Sequence, residues 1–176
     1  MLLSFLLSCY SIPKGDPSQP DIILVSIDTL RADHVSAYGY ERKTTPFIDE
    51  LASKGTRFSH AWSTSSWTLP AHTSLLSGTR SLKHKVIEES ISIPNDLPLI
   101  SEELQKSGWQ TGAVVSASFV SRLYGFERGF DFFEDLPILR MDHSFLPRLF
   151  SLAISFLVVI ADFRSNLLKQ SKFRGC

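Results

Sequence analysis

A short apolar run at positions 21–27 most constrains the fold of this chain. It is mostly β-branched, which is typical of a buried parallel strand, and it ends directly before Asp28. A carboxylate at the carboxyl end of a buried strand lies where open α/β sheets bind their ligands. The run therefore predicts a strand with a ligand-binding acid at its end, and the alternative is a turn or helix-cap role for Asp28.

Helix and strand signals alternate along the middle of the chain. Residues 45–55 begin with a capping hydroxyl and a proline and end in Lys-Gly, and residues 99–107 precede a glycine, so both predict helices. Residues 56–61 and 110–115 carry strand patterns. This alternation predicts an α/β domain over residues 21–136, with a mainly parallel sheet flanked by helices.

A further predicted helix, at residues 69–77, has a hydroxyl residue at its start. Pro70 suits a first helical turn, and Gly78 is a typical helix stop. Thr68 therefore lies at or just before a helix N-terminus, where unpaired N–H groups and the helix dipole favour an anion. A hydroxyl there can attack a phosphate or sulfate ester that the same amides bind. The alternative is an ordinary N-cap.

Two blocks of the sequence resemble the sulfatase family, within the alkaline phosphatase-like superfamily. In the first, residues 66–78 resemble the family signature, in which Cys or Ser is followed by x-Pro-Ser/Ala-Arg, an apolar turn and Thr/Ser-Gly. Thr68 occupies the position of the nucleophilic Cys or Ser, and His72 occupies that of the Arg. In the second, residues 28–33, followed by Tyr-Gly at 38–39, resemble the first metal-binding block of the family.

The resemblance implies an alkaline phosphatase-like fold and a divalent cation, with Ca²⁺ expected first and Mg²⁺, Mn²⁺ or Zn²⁺ as alternatives. It implies Asp28, Thr29 and Thr68 as metal ligands, and Thr68 as the catalytic nucleophile. His72 would donate to the ester in place of Arg, and its alternative is a partly buried histidine bonded to the backbone. Lys83 and His84 match the region where many relatives place a substrate-binding histidine.

The expected function is metal-dependent hydrolysis of sulfuric esters. Typical sulfatases oxidise Cys or Ser to formylglycine, but oxidation of a threonine would give a ketone. An unmodified Thr68 instead resembles the nucleophile of phospho-transferases in the same superfamily, so a Thr-dependent phospho-transferase or phosphodiesterase is the first alternative. A catalytically inactive fragment is the second, because relatives are longer and their remaining metal ligands follow far downstream.

Composition and the chain ends complete the expectations. Lys+Arg and Asp+Glu number 18 each, so nucleic acid is not expected as a partner. Residues 1–20 resemble a lipoprotein signal and linker, which predicts lipid attachment at Cys9, membrane anchoring, and a location in the cell envelope, periplasm or extracellular space. Residues 137–176 are predicted as an apolar helical segment with a basic end at which the sequence is expected to be truncated. The uncharged run 149–161 favours a buried helix over an interfacial one.

Overall fold

The sheet contains four strands in the order β1-β4-β2-β3. A computed structural model of the chain describes residues 20–135 and the backbone of residues 156–161. The strands are β1 (Ile22–Ile27), β2 (Thr111–Val115), β3 (Phe132–Asp135) and β4 (Phe156–Ala161). β2 and β3 pair in parallel, whereas β4 is antiparallel to both β1 and β2. Three of the four strands therefore run in one direction, and the α/β prediction is confirmed.

Four α-helices accompany the sheet within the described residues. They are α1 (Pro46–Lys54), α2 (Thr68–Ser77), α3 (Ser81–His84) and α4 (Ile100–Lys106). Four short 3₁₀ helices are also present in this part of the chain. Two lie between β1 and α1, at Ala32–His34 and Ser36–Tyr38, and two lie between β2 and β3, at Ser118–Val120 and Arg122–Tyr124. The three predicted helices correspond to α1, α2 and α4 within one or two residues at each end.

The ends of α2 follow from local sequence. Gly78 adopts a left-handed φ of 65°, and its N–H donates to the Ser74 carbonyl at 2.9 Å. This closes the helix in the conformation that glycine enters at least cost. At the other end, Trp67 is the N-cap residue and makes no side-chain capping bond. The helix therefore begins at Thr68 itself, which leaves the Thr68 hydroxyl available for another partner.

The core lies between α2 and the carboxyl half of the described domain. Its fully buried members include Leu69 and Leu76 of α2, Leu99 before α4, Val115 of β2, and Phe126. Burial of a large apolar side chain contributes about 1.5–3 kcal/mol. The start of α2 therefore rests on the best-packed part of the domain.

Two secondary-structure predictions are wrong. Residues 56–61 form no strand, because long-range side-chain bonds hold this segment as a loop: Arg57 Nη1 donates to the Ala37 carbonyl at 2.6 Å, and Tyr38 Oη donates to the Phe58 carbonyl at 2.9 Å. The end of the run predicted as a helix, at 149–161, forms strand β4 instead. A short apolar run fits either structure by pattern, and its β-branched Val158, Val159 and Ile160 favour the strand.

Burial of β1 also differs from expectation, since the strand is covered on one face only. Leu24 packs against the core, but Ile23 and Val25 on the opposite face are 58% and 54% exposed.

Several predictions fall outside the described residues. These are the leader and Cys9 lipidation site within 1–19, and the segments 136–155 and 162–176. The domain limits drawn at residues 20 and 136 stay predictions. Where the structure is described, no helix combines the length and apolar character needed to cross a bilayer.

Candidate functional site

The carboxyl end of β1 meets the first turn of α2. Thr68 Oγ1 donates a hydrogen bond of 2.8 Å to Asp28 Oδ2, although the two residues lie 40 positions apart. Because Trp67 is the N-cap, the alternative of Thr68 as an ordinary capping residue is wrong. The structure thus brings together the hydroxyl and the carboxylate that the two sequence blocks singled out.

Thr29 has a strained backbone beside this contact. Its φ is +59°, and it is one of two residues other than glycine with a positive φ among those described. A β-branched residue in this region costs about 1–3 kcal/mol, and such strain clusters at functional sites. The turn directs the Thr29 N–H to Asp28 Oδ1 at 3.1 Å. Both oxygens of Asp28 therefore accept hydrogen bonds, one from the backbone and one from Thr68.

His72 lies one turn further along α2 and is 6% exposed. Its Nδ1 is 2.9 Å from the Thr68 carbonyl oxygen, and its Nε2 is 3.0 Å from Ser26 Oγ. A carbonyl can only accept, so Nδ1 carries a proton and donates to it; when the ring is neutral, Nε2 accepts from the Ser26 hydroxyl. Both ring nitrogens have protein partners, which is the backbone-bonded arrangement weighed as the alternative to ester binding.

An open cavity of about 530 Å³ lies over these residues. Asp28, Thr29, Thr68, His72 and Ser26 line it from the polar side. Apolar side chains complete its wall, among them Leu30, Trp62, Trp67 and Leu75. A site with a few convergent polar groups and apolar walls is typical of small-molecule binding.

Lys83 and His84 do not line this cavity. His84 is 3% exposed; its Nδ1 accepts from the Val86 N–H at 3.0 Å, so its Nε2 donates to Ser74 Oγ at 2.9 Å. Burial lowers the pKa of His84 below its ordinary value, and a backbone hydrogen bond with Pro70 partly opposes that shift. The geometry gives His84 a role in joining α3 to α2, and the substrate contacts of Lys83 and His84 stay predictions.

The oxygen atoms around Asp28 are of the type that binds a hard cation. Asp28 offers a carboxylate and Thr29 and Thr68 offer hydroxyls, which are the ligand types that Ca²⁺ and Mg²⁺ prefer. Such cations take about six or more oxygen ligands. Within the described residues no group of three or more His, Cys, Asp and Glu side chains gathers around one point. These three residues therefore fit one side of a cation site, not a whole one.

Ser26 was not predicted as a site residue, although a signal for it exists. Side chains alternate across a strand, so Leu24 and Ser26 share the face that leads to Asp28. A hydroxyl two residues before the strand-end acid must then face the same cavity. The histidine that it meets comes from α2, and no local pattern links the two.

Comparison with known proteins identifies the family of the chain. The family model described as Sulfatase matches residues 20–144. An N-acetylglucosamine-6-O-sulfatase of Bacteroides thetaiotaomicron is 25% identical over 122 residues, which cover 69% of this chain and 22% of that protein. An N-acetylgalactosamine-6-O-sulfatase of the same organism is 32% identical over 110 residues, covering 57% of this chain and 21% of the relative.

An arylsulfatase A of Bos taurus is also similar, with 30% identity over 125 residues that cover 63% of this chain and 25% of the relative. The chain thus spans about a fifth to a quarter of the length of these relatives. No solved structure matches it significantly. With the family model covering most of the chain, the protein belongs to the sulfatase family.

Proposed function

We propose that this chain supplies the nucleophile side of a metal-dependent hydrolase of sulfuric esters. The observation that carries the proposal is the 2.8 Å hydrogen bond from Thr68 Oγ1 to Asp28 Oδ2 at the floor of an open cavity. A nucleophile within hydrogen-bond reach of its proton acceptor is the recurring arrangement of covalent catalysis. The sulfatase names of the relatives support the class of ester.

In the proposed reaction, Thr68 Oγ1 attacks the sulfur of the ester while its proton passes to Asp28. The bond from sulfur to the leaving oxygen breaks, and that oxygen takes the proton from Asp28 and departs as an alcohol. The sulfate group is then carried on Thr68 until water attacks the sulfur, which releases sulfate and restores the hydroxyl. The backbone N–H of Thr29 holds the other oxygen of Asp28, so the carboxylate keeps its orientation.

Asp28, Thr29 and Thr68 would hold the divalent cation, with Ca²⁺ proposed first. A bound cation supplies positive charge that lowers the pKa of a hydroxyl and stabilises charge on the ester oxygens. Its remaining ligands must come from outside this set, because three side chains fall short of its coordination number. His72 is proposed to fix the first turn of α2 through the Thr68 carbonyl rather than to replace the family arginine.

The test is hydrolysis of an aryl sulfate and the matching aryl phosphate by the full chain, with and without Ca²⁺. We expect cation-dependent sulfate hydrolysis that falls at least ~100-fold in Thr68→Val and in Asp28→Asn. The matched control is Thr64→Val, since Thr64 is exposed and lines the same cavity. An equal loss in the control, or no loss in the two site variants, would overturn the proposal.

The same assay separates the alternatives. Faster turnover of the phosphate ester, with radiolabelled phosphate trapped on Thr68, would replace the sulfuric ester by a phosphoric one. Absence of both activities together with absence of Ca²⁺ binding by calorimetry would favour the inactive fragment.

We also propose that the protein is anchored in the cell envelope through lipid on Cys9. Incorporation of radiolabelled palmitate into the chain, and its loss in Cys9→Ser, would support this. A chain that takes up no label during expression in a lipoprotein-processing bacterium would contradict it.

A further inference from the structure

We propose that Ser26 is a second nucleophile in the cavity, with His72 as its base, and that the pair reacts with carboxylic esters bearing an apolar or aromatic group. The proposal does not rest on the Thr68 hydroxyl or on a cation. It rests on a hydroxyl and an imidazole that the function proposed above leaves without a chemical role.

The geometry is that of an activated serine. Ser26 Oγ lies 3.0 Å from His72 Nε2, and the far nitrogen of the ring lies 2.9 Å from the Thr68 carbonyl oxygen. Because that carbonyl accepts the hydrogen bond from Nδ1–H and so orients the ring, Nε2 of the neutral ring presents its lone pair to the serine hydroxyl. A nucleophile bonded to a base that a third group orients is the constellation found in serine-dependent enzymes on unrelated folds.

The ring has little freedom to turn away from this arrangement. His72 is 6% exposed and stands on α2, whose neighbouring residues Leu69 and Leu76 are buried in the core. Ser26 is held by the register of β1 with β4, in which it pairs with Leu157. The two partners therefore sit on separate, ordered elements, which is how a reactive pair keeps its geometry.

The cavity determines the class of substrate. Ser26 and His72 both line it, so the pair can be reached from solvent. Leu30, Trp62 and Leu75 line it too, and their side chains are 42%, 87% and 48% exposed. Apolar surface left open beside a nucleophile favours an ester with an aliphatic or aromatic group over a highly charged one.

The reaction needs no co-reactant except water. Ser26 Oγ bonds to the carbonyl carbon of the ester, its proton moves to His72 Nε2, and the bond from that carbon to the alkoxy oxygen breaks. The alkoxy oxygen takes the proton from His72 and leaves as an alcohol. Water then attacks the acyl-serine, passes a proton through His72 to Ser26 Oγ, and releases the carboxylic acid.

A fluorophosphonate probe tests the pair directly on the full chain, in the presence of EDTA. Attack by Ser26 forms an oxygen–phosphorus bond, breaks the phosphorus–fluorine bond and expels fluoride. Trypsin separates the candidates, because Ser26 falls in the peptide 15–31 and Thr68 in the peptide 58–80. Mass spectrometry of the fragments then locates the label.

We expect labelling of Ser26 at least ~100-fold faster than of Ser63, since positioned general bases contribute about that much or more. Ser63 is the matched control: it is exposed, lines the same cavity, and donates its hydroxyl to the Ser65 carbonyl at 2.7 Å instead of to a histidine. Ser26→Ala and His72→Gln should abolish the labelling, whereas Ser63→Ala should label as the unaltered chain does.

Three results would overturn the proposal: no label on the peptide 15–31, a rate at Ser26 equal to that at Ser63, or labelling that survives His72→Gln. Mapping on the unaltered protein decides the question even if a variant fails to fold, which circular dichroism would show. Because EDTA removes the cation, failure here leaves the sulfuric ester proposal standing, and success does not establish it.

Discussion

Two regions of the molecule are stabilised in different ways. The first consists of β2, β3 and α4, and the second consists of β1 and the start of α2. In the first, Asp131 Oδ2 accepts both from the Thr111 N–H and from its hydroxyl, at 2.9 and 3.2 Å. Arg128 donates to the carbonyls of Pro94 and Leu97 at 2.9 and 2.6 Å, which pins the chain between α3 and α4. The first region therefore combines a deeply buried core with side chains that each make two polar contacts.

The second region carries the chemistry, and its strand β1 is less buried than the start of α2 beside it. β1 leaves its outer face exposed, Thr29 is strained, and two side-chain hydrogen bonds, from Thr68 to Asp28 and from Ser26 to His72, join the strand end to α2. The comparison teaches that stability and reactivity are supplied by different parts of the chain. Functional segments are commonly drawn from the less stable parts of a structure.

The largest loss of stability should come from a substitution in the buried centre of the first region. Phe126 is fully buried and Phe47 of α1 is 79% exposed. Phe126→Ala should lower the free energy of unfolding by about 3–5 kcal/mol, because it leaves a cavity in the core. Phe47→Ala should change it by less than about 0.5 kcal/mol. Urea denaturation followed by circular dichroism measures both, and similar losses for the two would contradict the placing of Phe126 in the core.

Close backbone packing provides the next test. Gly129 has a φ of +73°, and an added Cβ would collide with the backbone nitrogen and Cα of Glu102. Gly129→Ala should cost about 3 kcal/mol, since rigid backbone cannot move aside. Gly108 is the matched control, with a φ of +87° and nothing within 4 Å of the added Cβ. Gly108→Ala should cost only the left-handed strain of about 1–2 kcal/mol, so equal thermal shifts would exclude the collision.

Acid should loosen the join between α2 and α3 through His84. Its folded-state pKa lies below the ordinary value, so the unfolded chain binds the proton more tightly. Stability should therefore be complete above about pH 6.5 and fall as the pH drops below that value. His84→Gln should flatten the fall in Tm between pH 7 and pH 5. An unchanged slope in this variant would assign the acid sensitivity to other groups.

The smallest effect concerns the strained turn of the second region. Thr29→Gly should raise stability by about 1 kcal/mol or less, because glycine adopts a φ near +59° without side-chain strain. Lys85→Gly is the matched control: Lys85 has a φ of +58° and does not line the cavity. Both should melt slightly higher, but only Thr29→Gly should reduce ester hydrolysis. Equal hydrolysis of sulfuric esters by the two variants would mean that neither the Thr29 hydroxyl nor its strained backbone takes part in the reaction.

Local signals were enough to predict much of this arrangement. Pro70 and Gly78 determine where α2 begins and ends, and the β-branched run at 22–27 determines β1. Both of these inferences depend on residues that are near one another in the chain. The expectation that Asp28 and Thr68 share a site came instead from the resemblance to the sulfatase family, since the two residues lie 40 positions apart.

The long-range pairings could not be predicted from the sequence, for a physical reason. Val158 and Val159 lie in an apolar run that fits a helix or a strand by pattern, and the pairing with β1 and β2 on either side completes the preference of these β-branched residues for the strand. The bond between Ser26 and His72 likewise depends on how β1 and α2 are placed relative to one another. The loop at 56–61 depends on a carbonyl of Ala37 and a hydroxyl of Tyr38 that another segment presents, which no local pattern encodes.

The position of β4 has a consequence for the order of events during synthesis. Ile22 pairs with Ala161, and within the described residues β1 joins the sheet only through β4. Synthesis runs from the N-terminus, so β1 must wait for almost the whole described chain to be made before it gains a strand partner. Such distant pairing is slow and leaves the backbone edge of β1 without a strand partner meanwhile. Production of this protein should therefore depend on chaperone capacity.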